Sequence, residues 1–196
     1  MIKSIAKTAA AIAAASLISG AALAAGDHEA PMRALAKSGA VGWLSDPAVI
    51  GAIKAQNGKT AGLSEGEIVK MDKQWRAEVK GSGGPLIDGV LKNALSEFLK
   101  KVKAGSQGKF TEIFVMDGKG LNVGQSDVTS DYWQGDEAKW QKTYPAGPGA
   151  VHISKVEMDE STQTLQSQLS LPIVDPADNK VIGAVTIGVN VEALGQ

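Results

Sequence analysis

The densest chemistry in this sequence lies between residues 127 and 140. Tyr132, Trp133 and Trp140 fall within nine positions of a chain that is only 5% aromatic. Asp127, Asp131 and Asp136 are interleaved with them. Aromatic walls with a few polar groups suit a small-molecule pocket, and aromatic faces attract cations. The carboxylates would orient a ligand amine or hydroxyl. The same residues also fit a plainer role, the aromatics as core and the acids as turn caps. Gln168 and Thr186 join the candidates because strand alternation puts them on polar or mixed faces of the last two strands. A one-residue slip in register would reverse that placement.

Other chemistries find no support. The chain has no cysteine, so disulfides, thiol catalysis and zinc-thiolate sites are excluded. His28 and His152 are far apart, and neither has a metal-ligand spacing around it. Glu157, Asp159 and Glu160 lack the alternating loop pattern of a calcium site and read as a solvated turn. Gly124-Gln125-Ser126-Asp127-Val128 begins like a nucleophile elbow but lacks the closing glycine. The run Gly118-Lys119-Gly120-Leu121-Asn122-Val123-Gly124 misses the dinucleotide fingerprint by one residue, and it joins two strands instead of a strand and a helix. A binding protein is expected, with no enzyme activity, cofactor or metal.

The elements that must position these residues divide by periodicity. From Pro31 to Val102 the apolar spacing is helical, punctuated by Pro47 and by Asn57-Gly58. Ser64 and Glu67 form a capping box, and Ile68, Met71, Trp75 and Val79 follow on one helical face. Gly81 to Gly84 break that helix. Pro85 opens the next, whose stripe runs through Leu86, Val90, Leu91, Ala94, Leu95, Phe98 and Val102. From Phe110 the pattern becomes that of strands: Phe110 to Met116, a turn at residues 117–120, and Leu121 to Gly124. Thr164 to Val174 alternates, with Leu165, Leu169, Leu171 and Ile173 opposite Gln166, Gln168 and Ser170. After a turn, Val181 to Val189 completes a hairpin. Gln125 to Ala150 is an irregular insertion with a short helical piece near Asp136 to Lys142. Helices followed by an antiparallel meander give an α+β fold. Its sheet would pack on the helices by one face and be covered by the insertion on the other, with a cavity between sheet and insertion.

The start of the chain reads as a secretory signal. Lys3 and Lys7 precede an alanine-rich apolar run to Ala25, which ends in the small-x-small pattern Ala22-Leu23-Ala24. Cleavage would remove residues 1–24 and place the protein in the periplasm. The competing reading is an uncleaved anchor, for which the run is only just long enough, since a span needs roughly 20 apolar residues. Losing the two lysines changes 20 basic against 21 acidic residues to 18 against 21, a net charge of −3. Such a chain is no electrostatic match for nucleic acid, and it has no other stretch fit to span a membrane.

Three segments together resemble the Cache (PDC) family of PAS-like extracytoplasmic sensor domains, in its single-domain form. They are Ile113-Phe114-Val115-Met116-Asp117-Gly118-Lys119-Gly120-Leu121, then Asp131 to Trp140, then the pair Leu171 to Asp175 and Val181 to Val189. The resemblance spans residues 63–194. It implies a sensor domain over 63–196 behind a helical lead-in, 25–62. It also implies a central antiparallel sheet, a long N-terminal helical segment on one face, and a pocket opposite for organic acids, amino acids or amines. Family members sit between two membrane spans of a histidine kinase, chemoreceptor or cyclase. With no second span or output domain in this sequence, a sensor role is expected to run through a separate membrane partner of that kind. The alternative is an exported accessory module whose pocket is filled by its own aromatics. In the amino-acid-binding branch the last strand carries an aspartate for the ligand amine. The matching position here is Gly188, which makes a standard amino acid a poor candidate.

Overall fold

The computed structural model of the protein describes residues 28–159 and 164–195. The signal segment, residues 1–24, and Glu160 lie outside the described residues.

The three longest helices begin where the sequence supplies a capping side chain. Helix α1 is Glu29–Ala36, and a 3-10 turn, Gly39–Ser45, leads to α2, Pro47–Thr60. Asp46 caps α2 by accepting the amide of Ala48 at 2.8 Å, with Pro47 in the first turn. Helix α3, Glu65–Lys80, starts with the expected capping box between Ser64 and Glu67. Helix α4, Pro85–Leu91, has no capping side chain of its own. Instead Glu78, near the end of α3, accepts the amides of Leu86 and Ile87, both at 2.9 Å. The apolar stripe expected to run unbroken to Val102 is cut at Asn93. Asn93 accepts the amide of Ser96 at 2.8 Å and so starts a new helix, α5, Ala94–Gly105. It also donates to the carbonyl of Val123 at 2.8 Å.

The strands are β1 Phe110–Met116, β2 Asn122–Gln125, β3 His152–Ile153, β4 Glu157–Asp159, β5 Thr164–Val174 and β6 Val181–Asn190. A single turn of helix, α6, Ala138–Gln141, lies in the insertion. The sheet is antiparallel in the order β2-β1-β6-β5-β3, with β4 also paired to β5. Strands β3 and β4 depart from the sequence reading. Glu157 and Asp159 are not in a turn but paired with Gln166 and Thr164 along the outer part of β5.

Alternation sorts the sheet's two faces. Ile113 and Val115 of β1, Leu169, Leu171 and Ile173 of β5, and Val185, Ile187 and Val189 of β6 all point to one side. There they meet Met32 and Leu35 of α1, Val49, Ile50 and Ile53 of α2, and Leu95 and Leu99 of α5 in one buried core. The expected α+β arrangement, helices on one face of a central antiparallel sheet, is what the chain adopts. The helical residues before position 63 share this core with the sheet. The longest helix, α3, packs elsewhere: Ile68 and Trp75 join Ile87 and Val90 of α4 and Leu121 and Tyr132 in a second core.

The turn after β1 is fixed by a buried carboxylate. Asp117 is fully buried and accepts the amides of Lys119 (2.8 Å) and Leu121 (2.9 Å) on one oxygen. Its other oxygen accepts Thr60 Oγ1 at 2.8 Å and Gln56 Nε2 at 3.2 Å. Helix α2 is thereby pinned to the sheet. Asn57 adds a donation to the carbonyl of Ile182 and accepts the amide of Gly118, at 2.7 and 2.8 Å.

Candidate functional site

The opposite face of the sheet is half covered. Phe114 and Met116 of β1 and Ala184 of β6 form an apolar end, capped by Trp140 and Tyr144 of the insertion. Those two rings stack at 5.0 Å. The other end is polar. Glu112 of β1 lies beside Gln166 and Gln168 of β5, and its Oε1 accepts their side-chain amides at 3.2 and 2.9 Å. Gln168 falls on the face that strand alternation predicts.

Above this polar end lies a cavity of about 460 Å³. Its walls include Glu137 and Lys139 of the insertion, His152 and Ser154 at β3, Glu157 of β4, and Gln166 and Gln168. A smaller compartment of about 140 Å³ adjoins it, lined by Glu112, Phe114, Thr129, Asp131, Gln134 and again Lys139 and Gln168. A cavity between sheet and insertion is where the sequence pattern puts one.

The chemistry here is that of charged groups partly withdrawn from water. Burial pushes the Glu137 carboxyl above its ordinary range; Lys139 opposes this, and nearby Asp131 adds to it. Lys139 contacts Glu137 Oε2 at 2.9 Å and sits 5.4 Å from the centre of the Phe114 ring. Gln134, only 1% exposed, donates to Asp131 Oδ1 at 2.6 Å, while its own Oε1 is without a partner. His152 is held below its ordinary pKa by burial, then by Lys142 and Lys139. The sign follows directly. Below about pH 6.5 the unfolded chain takes up a proton that the folded chain resists, so stability falls on acidification through that window. His152→Gln is expected to flatten this part of the stability–pH curve, read by urea unfolding at a series of pH values.

The candidate residues scatter around this cavity more than they fill it. Tyr132 is core: 4% exposed, stacked on Trp75 at 5.4 Å, with burial raising its phenol pKa. Trp133 and Trp140 donate their indole N–H groups to the carbonyls of Lys119 (2.9 Å) and Asp117 (3.1 Å). They share a separate surface groove with Leu63 and Ile68. Asp127 pairs with Lys103 at 2.6 Å on the surface. Asp136 is exposed. Thr186 is fully buried and bonded to Ser170 across the hairpin at 3.0 Å. Asp131 and Gln168 are the two candidates that reach the cavity.

Glu112, Lys139, His152 and Gln166 escaped the sequence reading. The signal for Glu112 was present: it is the one charged residue in an otherwise apolar strand, in phase with Phe114 and Met116. Helix α3 holds the insertion from outside. Asp72 accepts the amides of Tyr132 and Trp133 at 2.9 and 3.2 Å, and Arg76 reaches Asp131 at 3.2 Å.

No protein-family model matches this sequence, and no curated protein matches it. Solved structures similar to it include sensory domains of histidine kinases and chemoreceptors. The extracellular domain of the candidate histidine kinase rpHK1S-Z16 is 13% identical, with a TM-score of 0.42 over 66% of this chain and 50% of that one. The sensory domain of the Campylobacter jejuni chemoreceptor Tlp3 is 11% identical, with a TM-score of 0.40 over 84% of this chain and 65% of that one. The sensor domain of the V. cholerae histidine kinase DctB is 13% identical, with a TM-score of 0.38 over 86% of this chain and 59% of that one. This chain therefore spans between half and two thirds of their lengths.

Position 188 has no room for a side chain. A Cβ there would run into Thr111 Oγ1, and would lie 2.6 Å from Glu112 Cγ and 2.9 Å from Gln166 Oε1. The space belongs to the polar floor of the cavity. Gly188→Ala is expected to lower stability by about 1–3 kcal/mol through overpacking and to push Glu112 off Gln168. Thermal unfolding checks the first effect, and a shift of the Gln168 side-chain amide resonances the second.

Proposed function

We propose that this protein is an exported small-molecule-binding sensor module, carried to the periplasm by residues 1–24 and reporting to a separate membrane partner such as a kinase or chemoreceptor. The observation that carries the reading is the half-covered sheet face, where a polar cavity lies between Glu112, Gln166 and Gln168 below and Glu137 and Lys139 above. Among the described residues no helix is long and apolar enough to cross a membrane. The ligand would sit on the sheet floor and draw the insertion over itself, altering how the N-terminal helices pack. The aromatics do not fill this cavity, which speaks against an accessory module with a self-plugged pocket.

A thermal-shift screen against organic acids, amines and osmolytes tests the proposal. A ligand at a hundred times its Kd adds about 2.7 kcal/mol of stability. Gln168→Ala is expected to remove that gain while leaving the unliganded protein folded. A flat response across the library would sink the reading.

A further inference from the structure

Lys139 occupies a peculiar place. It lines both compartments, so its side chain stands on the boundary between them. Its ammonium faces the Phe114 ring at 5.4 Å and the Glu137 carboxylate at 2.9 Å, with the side chain 17% exposed. An aromatic face with a carboxylate beside it is the setting in which proteins hold organic cations.

The surroundings favour positive charge. The walls of the two compartments carry Glu112, Asp131, Glu137 and Glu157 against Lys139 and Lys155. Arg76 offsets part of this from outside, through Asp131 at 3.2 Å. The smaller compartment also presents the unpartnered Oε1 of Gln134, which only a hydrogen-bond donor satisfies. Among the described residues, no group of three or more acidic or histidine side chains is placed to hold a metal ion.

Resting on the sensor reading above, we propose that the ligand is an aliphatic organic cation of the short linear diamine class, whose ammonium takes the seat that Lys139 now fills. Lys139 is a tethered stand-in for the ligand. On binding, its flexible stem swings toward solvent through the larger compartment. The ligand ammonium lies over Phe114 and beside Glu137 and donates toward Gln134. The second amine reaches along the larger compartment toward Glu157. Affinity is reduced by the fraction of time the seat is taken, so emptying the seat raises it.

The experiment is calorimetric titration of the exported chain and its Lys139→Met variant with linear diamines and with dicarboxylates of matching length. The expected result is that diamines bind the parent chain and bind Lys139→Met about tenfold or more tightly, as for a seat filled about nine tenths of the time. Phe114→Leu keeps an apolar seat without the ring face, and is expected to weaken diamine binding about three- to thirtyfold. It keeps the proposal testable should Lys139→Met not fold. Diamine affinity unchanged or lowered in Lys139→Met overturns the proposal. So does binding of dicarboxylates that is lost in Lys139→Met, which would make Lys139 an anion ligand and leave the sensor reading standing. Silence of the parent chain toward both series, with a flat thermal-shift library, overturns the sensor reading itself.

Discussion

Trp75→Ala is expected to destabilise the protein by about 3–5 kcal/mol, the range for removing a large buried aromatic. Trp75 is fully buried in α3, stacked on Tyr132 with their rings 24° apart. Its indole N–H donates to the carbonyl of Thr129 at 2.8 Å. One side chain thus fills the second core and fastens the insertion at Thr129 and at Tyr132. Trp75→Phe keeps the stack and loses the hydrogen bond, leaving the Thr129 carbonyl unmet, at a cost of about 1–3 kcal/mol. Urea unfolding of the two variants separates packing from hydrogen bonding. A loss under about 1.5 kcal/mol for the alanine variant, far below the cavity range, would mean that the insertion is held by other means.

The second large effect is at Asp117. Asp117→Ala leaves the amides of Lys119 and Leu121 without their acceptor, while the Thr60 hydroxyl and the Gln56 amide group fall back on their remaining carbonyl acceptors, Gln56 for the first and Leu121 and Asn122 for the second. Each buried polar group left unmet costs about 1–3 kcal/mol, so a total loss of about 3 kcal/mol or more is expected after some rearrangement. Asp117→Asn is expected to rescue little. An amide places an NH₂ group where one carboxylate oxygen now accepts two donors, and donor then faces donor. Guanidinium unfolding of both variants tests this. Asparagine restoring the parent stability would show that acceptors on both oxygens are unnecessary.

Much of the fold was legible because it rests on local rules. The capping box at Ser64, the proline at 85 and the alternation in β1, β5 and β6 are read within a few residues of one another. Asn93 shows the limit of that reading. Apolar spacing continues across it in phase, so nothing in the periodicity reveals that the chain stops and restarts there. The cap works together with a bond to Val123, thirty positions on. Strands β3 and β4 are equally non-local: three residues such as Glu157–Asp159 become a strand only because β5 offers an edge.

The site was legible in outline and less so in detail. The cavity's place between sheet and insertion follows from the order of elements, and Gln168 from strand phase. The aromatic cluster drew attention to Tyr132, but composition does not distinguish a pocket wall from a core residue. Its stacking partner, Trp75, lies in α3, more than fifty positions earlier, and that pairing decides which it is. Lys139 gave no signal in the sequence. A lysine in a mixed, irregular stretch looks solvated until the fold places an aromatic ring and a carboxylate around it.

The bonds between α3 and the insertion have a mechanical consequence. Asp72 and Arg76 stand one turn apart on a helix of 16 residues, which makes a rod about 24 Å long. The joint is made of two hydrogen bonds from backbone amides, an ion pair and a buried ring stack. A lid drawn inward by an ångström therefore has to carry the rod with it, as a tilt or a slide. The movement emerges at Glu65 and Lys80, the rod's two ends. There a neighbouring protein could register occupancy as a change of position without touching the bound molecule.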